Sequence, residues 1–471
     1  MTQTQSFGYH PGITENVAPG DIPSGTEDRF TDVAVRRDIM ATMSDGVRLC
    51  ADIYLPEGAG NVPAILTRHP YGENTEFMGM RATGEFWARK GYAFVCRDVR
   101  GRFGSEGSFD SPLGRHEITD GYDSIEWIIN QDWSNGTVGM WGESYYGFTS
   151  YCGTISGHRA LEAIAPGDPR RRSPSTTSCT AKRPSRSTPW APGGWPWTPQ
   201  ITTRSTASTT SNVTGVVGPV AVGKQAAYRW DTTQAFFDHY LMDLDNGFEK
   251  RPQVEIFVMG DNTWRSEAQW PLKRAVDTAF YLQDSGGLGS EAGGDTPDSF
   301  VYDRAKPVSD TIDAEMWTAI AGLADRSAME QRDDVLVYTS AALDQDMEIT
   351  GQVRAEIHAA SSAVNTDFTV ALVDVFEDGY AHLIQHGIIR TGTIEPATVN
   401  AHAIDLWSTS HVVKRGHRLR VEVSSSRFNE FDRNLNSGEP QGQGANPIPA
   451  TQTIHHSAKH PPHIVLPVVP R

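Results

Sequence analysis

Between Pro169 and Trp230 the chain has no aspartate, no glutamate and no histidine, while nine lysines or arginines fall there. Such a stretch can supply neither the carboxylate nor the imidazole of a catalytic triad. At the overall acidic frequency about seven acidic residues are expected in a segment of this size. Outside it, 32 basic residues face 58 acidic ones, a balance of −26. Two readings compete for the segment. A linker or disordered insertion fits its Ser, Thr, Pro and Arg, which bury too little apolar surface to offset ordering entropy. Translation out of frame fits its abrupt edges and its bias, and a gene sequence read in the other two frames separates the two.

Cysteine is scarce. Cys50, Cys96, Cys152 and Cys179 show no C-x-x-C spacing, so neither a zinc site nor a disulfide framework is indicated, and buried free thiols are expected. No cofactor and no metal are expected. No apolar run approaches the roughly 20 residues of a membrane span. The polar start Met1-Thr2-Gln3-Thr4-Gln5-Ser6 lacks the charged and apolar regions of a signal peptide, so the expected location is cytoplasmic. A surplus of positive charge is missing too. The net charge of −17 argues against nucleic-acid and anionic-membrane partners, which need clustered Lys and Arg.

What is present suits two domains in 471 residues. Residues 1–30 read as an aperiodic arm. Asp38–Thr42, Val47–Leu55 and Val62–Thr67 are β-rich runs, the first two forming a hairpin around Ser44-Asp45-Gly46. Tyr92–Cys96 predicts a buried strand, and Ile118 to Ile129 has helical spacing. This alternation, over residues 31–250 with the anomalous segment 169–230 inside, predicts a largely parallel sheet covered by helices. Residues 251–471 change to period-two runs at Asp334–Tyr338, Ile349–Ile357, Phe368–Val375, Leu419–Val423 and His463–Val468. These predict an all-β sandwich or jelly roll.

Gly142-Glu143-Ser144-Tyr145-Tyr146-Gly147 follows the apolar run Val138-Gly139-Met140-Trp141. A serine on a tight turn between strand and helix exposes its hydroxyl and can attack an acyl carbon; the plainer alternative is a serine that caps the helix. Ser144 needs a histidine base and usually an orienting carboxylate. The Tyr145 amide follows the nucleophile and is one oxyanion donor. Tyr71, in His69-Pro70-Tyr71-Gly72 after a strand, is either the second donor through its hydroxyl or an aromatic wall. Asp98 and Arg100 at another strand end read as a structural pair. Asp168 is either a triad acid or a turn former before Pro169. His158 follows the elbow too closely, and His239 sits on an amphipathic helix, so neither suits a triad base. His455, His456 and His460 read as a surface loop rather than a metal site. The triad acid and base are therefore unassigned.

With these residues in hand, the chain resembles the cocaine esterase and X-Pro dipeptidyl-peptidase family of serine hydrolases. The resemblance rests on Arg68-His69-Pro70-Tyr71-Gly72, Asp98-Val99-Arg100-Gly101, Ser105-Glu106-Gly107 and the Ser144 elbow. Later it rests on Phe257-Val258-Met259-Gly260, Gly416-His417-Arg418-Leu419-Arg420 and His460-Pro461-Pro462-His463-Ile464. It implies an α/β-hydrolase domain with a cap, then a jelly roll, with Ser144 as nucleophile and Tyr71 and the Tyr145 amide as oxyanion donors. It implies small-molecule or peptide substrates carrying an ester or amide, and a homodimer stays open. The family sets its triad acid and histidine in G-W-x-D-like and G-P-W-x-H-like turns. Here Gly193-Gly194-Trp195-Pro196-Trp197 and Gly218-Pro219-Val220-Ala221-Val222 hold neither, and the cap is truncated.

Overall fold

The structure, a computed structural model, describes residues 27–74, 79–110, 114, 116–168, 177–182, 198–203, 216–217, 220–221, 230–309, 325–428, 430–439 and 444–471. Most of the arm and most of the anomalous segment lie outside these residues, as do the expectations of disorder attached to them. The chain divides into two compact units: residues 1–203 with 228–255, and residues 204–227 with 256–471.

In the first unit, β1 (Val33–Thr42) and β2 (Arg48–Pro56) form the antiparallel hairpin anticipated around Gly46. Next come β3 (Val62–His69), α1 (Met80–Arg89), β4 (Ala93–Asp98), α2 (Glu117–Ile129), β5 (Ser134–Glu143), α3 (Ser144–Ser156) and β6 (Leu161–Asp168). β3 lies parallel to both β4 and β5, and β5 lies parallel to β6. β7 (Thr177–Lys182) and β8 (Thr198–Thr203) extend the sheet antiparallel beyond β6. The sheet has the expected parallel centre, with antiparallel strands added at both edges. The parallel centre follows from the helical crossovers, whereas the antiparallel pairs at the edges need none.

Helix α1 buries Met80, Thr83, Gly84, Trp87 and Ala88, the spacing of one helical face. That face joins Ile65, Phe94, Trp141 and Phe237 in one apolar cluster. On the opposite side of the sheet, Leu66, Val95 and Met140 pack with Ile125 and Ile128 of α2. Adjacent residues of β3 therefore face opposite clusters, as the two-residue period of a strand requires. α3 stops at Gly157, whose φ of 71° supplies the left-handed cap. After it, α4 (Trp230–Met242) buries Phe236, Phe237 and Leu241.

The two-residue strands β9 (Val216–Val217) and β10 (Val220–Ala221) belong to the second unit, and after residues 228–255 the chain returns to that unit within β11 (Val254–Val258). The second unit holds β12 (Thr263–Glu267), β13 (Val276–Gln283), β14 (Gly287–Gly289), β15 (Asp298–Tyr302), β16 (Leu336–Thr339) and β17 (Met347–Ser361). It continues with β18 (Asp367–Val375), β19 (Ala381–Arg390), β20 (Asn400–Val413), β21 (Arg418–Ser424), β22 (Ala450–Ile454) and β23 (His463–Val469). The five period-two runs read from the sequence fall on β16, β17, β18, β21 and β23. Alternate residues of these strands, among them Tyr338, Ile349, Val353, Leu372, Val421 and Leu466, fill a single apolar core. Among the described residues this unit has no α-helix and is β-rich throughout.

Candidate active site

Ser144 sits where β5 turns into α3, is exposed, and has φ of 52°. A left-handed backbone at a non-glycine residue costs about 1–2 kcal/mol and persists only where the surroundings impose it. Gly142 is part of that imposition. A Cβ there would lie 2.3 Å from Tyr146 Cδ2 and 2.6 Å from the Tyr146 carbonyl carbon. Gly142→Ala is therefore expected to destabilise the first unit by about 1–3 kcal/mol, read as a lower urea midpoint.

The side chains after the serine are anchored beneath it. Tyr145 is buried and its hydroxyl donates to Glu117 Oε1 at 2.8 Å. Glu117 Oε2 in turn meets Arg68 Nη2 at 2.7 Å, and Arg68 Nη1 donates to the Glu117 carbonyl at 2.9 Å. Thr149 of α3 donates to the Arg68 carbonyl at 2.9 Å. The start of α3 is thus tied to the ends of β3 and α2. The Tyr145 amide opens the first turn of α3, where the helix dipole favours a negative charge.

Tyr71 comes from the loop after β3. Its ring stacks on His69 at 5.6 Å and meets Tyr146 edge-on at 6.5 Å, so the loop and the elbow share one aromatic contact set. His69 is the last residue of β3 and is buried. Its Nδ1 accepts the Tyr71 amide at 3.3 Å, and its Nε2 lies 3.3 Å from Cys96 Sγ. Burial lowers its pKa from 6.5 to about 4, so it is neutral at neutral pH. The unfolded chain then binds more protons than the native one between pH 4 and 6.5. His69 should contribute stability that is complete above pH 6.5 and is lost as pH falls through 4, about 3 kcal/mol in all. His69→Asn should lose that part of the pH slope in urea midpoints measured from pH 4 to 7.

Asp98 and Arg100 do not pair with each other. Arg100 meets Asp120 at 3.0 and 2.6 Å and Asp45 at 2.8 Å. Asp98 accepts backbone amides from Glu73 at 2.9 Å and Gly104 at 3.1 Å. Burial, and then Glu73 beside it, push the Asp98 carboxyl up to about 8. Both residues are structural, each with partners that adjacency in sequence did not suggest.

The other described histidines of the first unit have other duties. His158 follows the far end of α3, roughly 20 Å along the helix from Ser144. Its Nε2 meets Glu126 at 2.9 Å and its Nδ1 accepts the Ala160 amide at 3.1 Å. His239 Nδ1 lies 2.9 Å from the Leu244 carbonyl, and His116 faces Asp110 at 3.8 Å. Among the described residues Ser144 has no side-chain hydrogen bond. The side chain of Asp168 lies outside the described residues, though its backbone ends β6. In the second unit, His456 is buried rather than in a surface loop, with Nε2 at 2.9 Å from Asp298. Cys50, Cys96 and Cys152 are free and buried, as anticipated. No helix among the described residues is long and apolar enough to cross a membrane.

A mixed sheet with a left-handed serine between its strand β5 and helix α3 places the first unit among α/β-hydrolases. Residues 45–214 match the X-Pro dipeptidyl-peptidase (S15 family), and residues 246–465 match the X-Pro dipeptidyl-peptidase C-terminal non-catalytic domain. The cocaine esterase of Rhodococcus sp. (strain MB1 Bresler) is 31% identical over 570 residues, spanning 93% of this chain and 99% of that protein. The chain belongs to the CocE/NonD and S15 X-Pro dipeptidyl-peptidase family of serine hydrolases. An α-amino acid ester hydrolase structure superposes with a TM-score of 0.77 at 23% identity, over 97% of this chain and 100% of that one. A CocE/NonD family hydrolase from Staphylococcus aureus does so at 0.65 and 16% identity, over 93% and 94%. These two likenesses concern the fold. The 570 matched positions exceed the length of this chain, so many positions of the relative have no counterpart here.

Proposed function

We propose that this chain is an ester or amide hydrolase working through an acyl-enzyme on Ser144. The observation that carries the reading is the exposed, left-handed Ser144 at the β5–α3 turn. In this reading Ser144 Oγ adds to the substrate carbonyl, and the negative oxygen is met by the Tyr71 hydroxyl and the Tyr145 amide. Collapse of the adduct expels the alcohol or amine, and water then releases the acid. The triad acid and base stay unassigned. Membership of a family of serine esterases and peptidases supports the reaction class. The likeness to the cocaine esterase points to ester substrates before peptides.

Labelling with a fluorophosphonate probe tests this. A single adduct mapped by mass spectrometry to Ser144 is the expected result, and an unlabelled folded chain would overturn it. A second reading has its own observation behind it: His116, His158 and His239 all have partners other than Ser144. In that reading the chain is an inactive copy, without a triad acid and histidine, that binds or supports rather than cleaves. Unlabelled Ser144 supports it.

A further inference from the structure

Glu73 lies two residues beyond Tyr71, is 3% exposed, and its Oε2 has no hydrogen-bond partner. A buried carboxylate oxygen left unpaired is costly unless a proton or a cation meets it. Two further donors stand around it. One ligand atom each from Asp38, Cys50 and Glu73 lie within 4.8 Å of one another. The three come from separate elements. Asp38 is carried by a bulge in β1, where register shifts between Arg36 and Ile39 and φ is 54°. Cys50 is on β2 and is buried. Loop 101–107 closes over the thiol: a Cβ on Gly104 would lie 2.8 Å from Cys50 Sγ.

Acidic groups accumulate here with little positive charge beside them, although Asp98, pushed up to about 8, keeps its proton at neutral pH. Asp98 contacts Glu73 through its amide at 2.9 Å, and buried Asp52 accepts the Asp38 amide at 3.1 Å. Arg37 pairs with Asp52 at 2.6 Å. Among the described residues, no Lys or Arg lies within ion-pair distance of Asp38, Glu73 or Asp98. We propose that Asp38, Cys50 and Glu73 form a site for zinc or a similar borderline-soft divalent cation, which fastens the Tyr71 loop to β1 and β2.

The donor chemistry selects the ion. A thiolate beside two carboxylates suits zinc or cobalt, whereas calcium and magnesium prefer oxygen alone. On binding, the Cys50 S–H bond breaks, the sulfur pair goes to the metal and the proton leaves to solvent. The cation supplies the positive charge the cluster lacks and gives Glu73 Oε2 a partner. Sequence spacing could not show this, because positions 38, 50 and 73 follow no ligand motif. The site stands whether or not Tyr71 donates to an oxyanion, and its test does not read turnover.

The test is titration of the chelator-stripped full chain with Co²⁺, followed by absorbance. One equivalent should bind with a near-ultraviolet thiolate-to-cobalt band that added Zn²⁺ abolishes. Cys50→Ser should lose the band, and Glu73→Gln should weaken binding about tenfold or more. Circular dichroism checks that each variant is folded, and Asp38→Asn, at an exposed position, serves if a buried variant is not. Absence of the band in the folded wild-type chain would overturn the proposal. So would a band that persists in Cys50→Ser, because the sulfur would then be another cysteine.

Discussion

Ser144→Ala lowers hydrolysis of p-nitrophenyl acetate by about 10⁴ to 10⁶ if the serine acts with a working base. The fall should appear in kcat, because no acyl-enzyme can form once the oxygen is gone. Stability is the control. Alanine at φ of 52° keeps the same backbone strain as serine, so the urea midpoint should not move. Ser144→Gly should be equally inactive yet about 1 kcal/mol more stable, since glycine adopts the left-handed region without its steric penalty. Loss of activity with gain of stability would identify Ser144 as a residue held in strain for chemistry. Hydrolysis that survives both substitutions would sink the Ser144 mechanism, whereas wild-type hydrolysis no faster than that of Ser144→Ala would favour the binding or structural reading.

The elements nearest the elbow were legible because each carries a local signal. Val138–Trp141 is apolar, Gly142 admits the turn, and the following helix starts at once. Near-continuous apolar runs marked β3 and β4, and alternation marked β16, β17, β18, β21 and β23. Interactions between distant positions left no such mark. Arg68 and Glu117 are 49 positions apart, and Tyr145 lies 28 beyond Glu117, so neither period nor spacing joins them. Arg100 was read with Asp98 two positions before it, but β4 ends at Asp98, and Arg100, in the turn beyond the strand, reaches Asp120 on α2. The antiparallel strands β7 and β8 fall in the segment whose composition carries no alternating apolar pattern. His69 looked like a loop residue beside Pro70 and proved to be the buried end of β3.

The Arg68 and Glu117 pair sets the second large expectation. Arg68 is fully buried and Glu117 nearly so, which means that neither charge is solvated by water. Arg68→Met should therefore leave a buried carboxylate held only by the Tyr145 hydroxyl, and should destabilise the first unit by about 3–5 kcal/mol. The pair itself need not be strongly stabilising. Arg68→Met combined with Glu117→Leu should recover most of the loss, because apolar replacement of both partners removes the desolvated charges together. A double-mutant cycle in urea checks this, and a single-variant loss under about 1 kcal/mol would show that water reaches Glu117. What the pair secures is position. Tyr145 is held by Glu117, Thr149 by the Arg68 carbonyl, and between them they fix the first turn of α3 against the end of β3. If the Tyr145 amide receives the oxyanion, the restored double variant should fold well yet turn over more slowly, with kcat falling further than KM rises, since the donor would no longer be held at the distance the transition state requires.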